Sequence, residues 1–314
     1  MMVIGFMVAV FIMRRLSRRD RLDFMVITNA ALYSLIAGVV GARIFFVIHY
    51  FEEFRHELWN VFAIWKGGLE FLGGVVLAVT FLVIYLRRNK MPIRRSLDIM
   101  AIGLMAALAF GRIGCLLNGC CFGKPTVLPW AIQFPYGSFA YTSQINTNPA
   151  RGRMDPHLRI PHGQYCYRPI DSERWYPRAL RTLTPQQQQE VTGGQYQCLP
   201  VHPSQLYSSL SALTISGCLY LIWNQAMRKR RLNAQAWLAR PGLTVGFMFI
   251  FYGIVRYLLE LSRDDNPFEY AFLTVSQIIG IVLVLGGGAV LVGISMLKYQ
   301  EGNGADAPVT TESD

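Results

Sequence analysis

Arg112 lies inside an otherwise apolar run, residues 97–117, that reads as a membrane-spanning helix. A charge at that depth costs about 2.5–3.5 kcal/mol on insertion scales, so it marks a functional position by default. Tyr252, Arg256 and Glu260 are spaced i, i+4, i+8 and share one face of a second apolar helix. A guanidinium is a planar fork of donors that matches a phosphate bidentately. Glu260 is placed to pair with Arg256 and offset part of the cost of burying it. Arg112 has no acidic residue at i±3 or i±4, so its partner must come from another helix, a lipid headgroup or water. These residue types together point to recognition of a phospholipid headgroup. The plainer alternatives are an Arg256–Glu260 pair that only neutralises itself between helices, and an Arg112 that snorkels to the interface.

Three further stretches could take part. WKGGLEFLGG, residues 65–74, sets two glycine pairs around Glu70. These glycines permit either a close backbone approach to a ligand or tight helix packing. HPSQLY, residues 202–207, puts His202 and Gln205 at the head of a helix. His202 is a possible acid or base near neutral pH, although an interfacial histidine bonded to loop backbone is the simpler reading. The stretch 111–123, GRIGCLLNGCCFG, carries Cys115, Cys120 and Cys121 after Arg112, with Asn118 and Gly123. No fourth metal ligand is evident, so small apolar packing is the expectation and no metal is assigned. Cys166 and Cys198 are compatible with a disulfide in an oxidising compartment. No phosphate-binding P-loop, dinucleotide fingerprint or G-x-S-x-G elbow occurs, and no cofactor is expected.

These residues need elements to hold them in place. The 314-residue chain is 53% hydrophobic and only 16% charged, against about a quarter charged in soluble domains. Apolar runs predict spans near residues 1–13, 24–51, 71–86, 97–117, 202–223, 243–261 and 273–297. The fold expected is an all-α integral membrane protein of about seven helices. Its organisation is helices one to four with the signature stretch in 1–123, a long polar loop at 124–201, helices five to seven in 202–297, and a disordered tail at 298–314. The first run is short for a span, which needs about 20 residues. It reads as the end of a helix that starts upstream.

The net charge of +11 comes from short basic clusters beside the spans, at 14–21, 87–95 and 228–231. That pattern signals membrane orientation rather than a nucleic-acid surface. It predicts an outer N-terminus, a cytoplasmic C-terminus and an outer 124–201 loop. Arg112 and Arg256 then lie at about the same depth, roughly 20–22 Å from the inner ends of their helices. HPSQLY, WKGGLEFLGG and NGCCFG fall at outer ends as well, so the unusual motifs converge on one side.

In their order along the chain, GARIFFVIHYF, GGLEFLGG, GRIGCLLNGCCFG, HPSQLY and YGIVRYLLEL resemble the bacterial prolipoprotein diacylglyceryl transferase family. The resemblance covers nearly everything outside the 124–201 loop and the tail. It implies an inner-membrane enzyme with its site toward the periplasm. Such an enzyme moves the diacylglyceryl group of phosphatidylglycerol onto the lipobox cysteine thiol of a prolipoprotein signal peptide. A thioether forms and glycerol 1-phosphate leaves. By the same resemblance Arg112 matches the headgroup-binding arginine and Arg256 a second essential one. Tyr252 and Glu260 flank Arg256, and Asn118, Gly119 and Gly123 complete the signature. Glu70, His202 and Gln205 join the candidate substrate-binding set.

Departures from the family pattern fall on proton handling. Leu72 replaces the usual histidine or tyrosine, Cys115 an asparagine, Cys120 a glutamate and Met2 a tyrosine near the start of helix one. The alternative they raise is a homologue that binds phospholipid or lipoprotein without transfer. Glu70 and His202 are the substitutes available as a base.

Overall fold

The structure is a computed structural model that describes residues 1–54, 58–62, 67–68, 70–170, 172–232, 236–263 and 273–296. Trp65, Lys66 and Leu69 of the glycine-rich stretch, residues 264–270 and the 298–314 tail lie outside the described residues.

The long helices are α1 (Met2–Arg19), α2 (Phe24–His49), α3 (Phe71–Arg88), α4 (Ile93–Asn118), α5 (Ser204–Leu232), α6 (Leu243–Leu261) and α7 (Val275–Met296). Among the described residues, five of them (α2, α4, α5, α6 and α7) are long and apolar enough to cross a membrane. Helices suit lipid because each satisfies its own backbone hydrogen bonds. The outward apolar side chains fit the same setting. Ile36, Ile48, Leu210 and Leu285 are each about half or more exposed, which water would disfavour and lipid does not. The protein is therefore a mostly helical, multi-pass membrane protein.

The chain forms two compact units. The first holds Met1–Phe6, Met105–Cys218 and Gly246–Ala289. The second holds Met7–Leu104, Leu219–Val245 and the described residues from Val290 onward.

In the second unit, α2 packs along α3 through small residues. A Cβ on Gly73 would sit 2.2 Å from the Phe45 ring, and one on Gly41 would sit 2.6 Å from Leu77. Of the two readings of this glycine-rich stretch, tight packing holds for Gly73 and Gly74. Gly67 and Gly68 instead take positive φ in a turn. Arg43 of α2 holds that turn, donating to the carbonyls of Asn60, Val61, Gly67 and Gly68 at 2.5–2.9 Å. The other buried charges of this unit also have partners. Asp20 pairs with Arg95 at 2.9 Å and Arg230 at 3.5 Å. Asp98 accepts from the backbone N–H groups of Gly242 and Val245 at the start of α6.

In the first unit, the 124–201 segment folds around its own core. Phe134, Tyr141, Ile145, Leu158, Tyr165, Val191 and Val201 are all buried there. The glutamine tract 186–189 is helical, within Pro185–Thr192, and is started by a capping box between Thr184 and Gln187. Strands Cys166–Tyr167 and Tyr176–Pro177 pair antiparallel. Cys166 and Cys198 are buried free thiols, so the disulfide that sequence permitted is not formed. Burial pushes both thiols up to about 11. Polar sequence concealed this core because its apolar residues are spread through irregular chain rather than set at a helical or strand period.

Candidate functional site

Glu260 lies on the last turn of α6 and is 1% exposed. Around it the first unit gathers several arginines. Arg256, one turn earlier, approaches Glu260 Oε2 to 3.8 Å and donates to Ser276 Oγ of α7 at 2.5 Å. Arg151, from the 124–201 segment, reaches Glu260 Oε1 at 3.5 Å and the Arg263 carbonyl at 2.7 Å. Arg263 is itself 6% exposed. The positive charges of Arg263 and Arg112, and the groups Tyr252 and Glu260, all act on Arg256. Two arginines thus reach the Glu260 carboxylate, and two more act on Arg256.

Charges buried in low dielectric are costly unless paired. Among the described residues, Glu260 is the acidic group that reaches Arg151 and Arg256. The Nε of Arg112 is buried and has no hydrogen-bond partner among the described residues. The self-neutralising alternative for Arg256 and Glu260 does not account for Arg112, Arg151 and Arg263 beside them.

The signature stretch is fixed by backbone. Gly123 N–H donates to the His202 carbonyl at 3.0 Å, and Lys124 N–H to the Ser262 carbonyl at 2.8 Å. A Cβ at Gly123 would lie 2.6 Å from His202 Cβ and 2.8 Å from Ser262 O, so only glycine fits this three-way junction. Gln205 donates through Nε2 to the Cys120 carbonyl at 2.7 Å, and Ser204 through Oγ to the Cys121 carbonyl at 2.5 Å. HPSQLY therefore clamps NGCCFG. The His202 ring contacts the Tyr207 hydroxyl at 3.4 Å, and that hydroxyl accepts from the Trp130 indole at 2.7 Å. The ring thus meets a side chain of α5 rather than the loop backbone expected of an interfacial histidine. Asn118 is exposed at the end of α4 and lines a groove of about 590 Å3, together with Leu116, Leu117, Gly119 and residues 134–139.

Arg112, Tyr252, Arg256, Glu260, Asn118, Gly123, His202 and Gln205 all fall in the first unit. Glu70 belongs to the second. It sits at the N-cap of α3, its backbone N–H bonded to Ala42 O at 2.9 Å and its carboxylate 3.6 Å from His49 Nδ1. Leu72, at the position usually held by histidine or tyrosine, is 63% exposed. Arg151 and Arg263 were not visible as site residues from sequence. Arg151 is one of many arginines in a polar segment, and only the fold brings it to Glu260. The cysteine expectation also changes, since the Sγ atoms of Cys115, Cys120 and Cys121 lie within 4.8 Å of one another.

Buried arginines in a mostly helical scaffold with five candidate spans define a membrane protein with charge set among its helices. The prolipoprotein diacylglyceryl transferase family model matches residues 1–293, and the chain belongs to that family. Among similar proteins is the phosphatidylglycerol–prolipoprotein diacylglyceryl transferase of Rhodopirellula baltica, 27% identical over 92% of this chain and 70% of that protein. The enzyme of that name from Photorhabdus laumondii is 30% identical over 86% of this chain and 77% of its own length. A second such transferase from Clostridium perfringens is 24% identical over 88% and 81%.

Proposed function

We propose that this protein transfers the diacylglyceryl group of phosphatidylglycerol to the lipobox cysteine of a prolipoprotein, leaving a thioether and releasing glycerol 1-phosphate. The observation that carries this reading is the convergence of Arg151 and Arg256 on buried Glu260, with Arg112 and Arg263 acting on Arg256. The leaving group is a phosphate ester whose negative charge grows as its C–O bond breaks. Guanidinium groups already in place stabilise that charge without reorganising. Arg112 and Arg256 take the headgroup phosphate. Glu260 keeps Arg256 and Arg151 in position and prevents the cluster from repelling itself apart. Tyr252 completes the helix face. Asn118, Gly123, His202 and Gln205 shape the mouth of the site, and Glu70 contributes to substrate binding.

We place the protein in the bacterial inner membrane with seven spans, α1 and α3 included. The N-terminus and the 124–201 segment lie outside and the C-terminus in the cytoplasm. The basic clusters at 14–21, 87–95 and 228–231 support this orientation.

The test is a membrane assay with phosphatidylglycerol and a lipobox peptide. The thioether product is expected. Binding of the lipid without product by the intact protein would instead favour the reading in which transfer has been lost, for which Leu72 is the supporting residue.

A further inference from the structure

Helix α4 ends in a Schellman motif. Gly119, at φ +71°, donates its N–H to the Leu116 carbonyl at 3.0 Å, and Cys120 donates to the Cys115 carbonyl at 3.1 Å. This motif sets its third-from-last helical residue against the second residue beyond the cap, and a hydrophobic pair normally fills that contact. Here both positions are cysteines. Cys121 then takes φ +62°, a left-handed conformation that few non-glycine residues adopt. The turn folds its side chain back, and the three sulfur atoms come within 4.8 Å of one another.

We propose that Cys115, Cys120 and Cys121 bind one Zn2+ as three thiolates, and that the fourth position takes the thiol of the acceptor peptide. Zinc is held by thiolates at about 2.3 Å in tetrahedral geometry, which sets neighbouring sulfurs roughly 3.8 Å apart. The cluster is within a small side-chain adjustment of that spacing. None of the three cysteines is in a disulfide and all are only partly buried, and the Cys120 thiol lies 3.7 Å from the Cys115 carbonyl. The groove that begins at Leu116–Gly119 opens at the same turn and gives a peptide its approach. Gln205, 1% exposed and bonded through Nε2 to the Cys120 carbonyl, has a buried Oε1 with no partner. Arg112 is one turn before Cys115 on the same helix.

The proposal rests on the transferase reading and supplies what Leu72 removes, a way to activate the thiol. On binding Zn2+ the acceptor thiol loses its proton to water and becomes a thiolate, the nucleophilic form. Its lone pair forms the C–S bond while the glyceryl C–O bond to phosphate breaks. That electron pair leaves with glycerol 1-phosphate, and the arginines stabilise its charge. The thioether product is a weaker ligand than a thiolate and departs.

The test uses the full chain purified in detergent without added reductant. Bound metal is measured directly, and the chelated protein is titrated with Co2+ and Zn2+. About one equivalent of metal is expected, with thiolate-to-cobalt charge-transfer absorption that disappears in the Cys115→Ser, Cys120→Ser double variant. Lipobox peptide should perturb the cobalt spectrum, and a peptide with serine for the cysteine should not. Chelation should lower thioether formation at least tenfold, and Zn2+ should restore it. Three reduced thiols that bind no metal, or a disulfide among them in the isolated protein, would overturn the zinc proposal. Product formation indifferent to chelation would overturn it too, while the transferase reading stands. Metal bound with no product from phosphatidylglycerol would sink the transferase reading instead, and with it the acceptor role of the fourth position.

Discussion

Arg43 and Arg112 are both arginines in apolar helices, and their surroundings are opposite. Arg43, in the second unit, spends its donors on four backbone carbonyls and is 7% exposed. Arg112, in the first unit, leaves its buried Nε without a partner. The units repeat this contrast. The second balances Asp20 with Arg95 and Arg230 and seats Asp98 on the start of a helix. The first brings Arg151 and Arg256 to Glu260, with Arg112 and Arg263 acting on Arg256. A charge with its partners inside the fold holds the fold together. In the transferase reading, Arg112 keeps a donor for the lipid phosphate. The residue type alone does not distinguish the two cases; the state of its donors does.

The contrast is sharpest in the two arginines themselves. Arg112→Ala should lower transfer by about 10²–10³-fold or more, the scale of one lost oxyanion donor, with normal protein levels. Arg43→Ala should do the reverse and reduce the amount of folded protein, since it frees four carbonyls. A transfer assay normalised to immunoblotted protein reads both. If Arg43→Ala were well folded and inactive, the division between the units would collapse. Arg256→Ala is expected to behave as Arg112→Ala does.

Next in size is Glu260→Ala, which leaves Arg256 and Arg151 facing each other without their anion. Breaking a buried pair costs about 3–5 kcal/mol, so the thermal unfolding temperature should fall. Phosphatidylglycerol vesicles should recover part of that loss, and phosphatidylcholine vesicles should not. Arg151→Ala is milder, costing about 1–3 kcal/mol through its lost bond to the Arg263 carbonyl, and should raise KM more than it lowers kcat. The smallest effect tests the core of the 124–201 segment. With their thiols held near 11 by burial, Cys166 and Cys198 carry only about one part in a thousand thiolate at pH 8. They should resist a thiol-alkylating reagent until the protein is denatured.

Much of this arrangement was legible in sequence. Arg112 and Arg256 announce themselves by cost, and the i, i+4 spacing of Arg256 and Glu260 is a helical pair in the structure. The long helices follow the apolar runs, although α1 and α3 are not among the five long and apolar enough to span. What sequence could not supply was contact across long separations. Arg151 and Glu260 are 109 residues apart, and no local period links them. Cys115, Cys120 and Cys121 were expected as small packing residues, and the approach of their sulfurs to within 4.8 Å comes from the fold. Gly119 after Asn118 is an ordinary C-cap signal, and the motif it starts pairs positions 115 and 120 by geometry alone.

The junction at Gly123 bears on how the molecule is made. It joins residue 123 to 202, and residue 124 to 262. A growing chain cannot close it until the sixth long helix has been synthesised. Contacts of such sequence separation form late because their loops must close first. Until then the signature stretch has neither its clamp from HPSQLY nor its anchor at Ser262. Arg112, early in the chain, waits for nearly half the protein before its surroundings exist. Competence is therefore among the last properties the nascent molecule acquires, and a fault in inserting α6 would leave a membrane-embedded protein without a site.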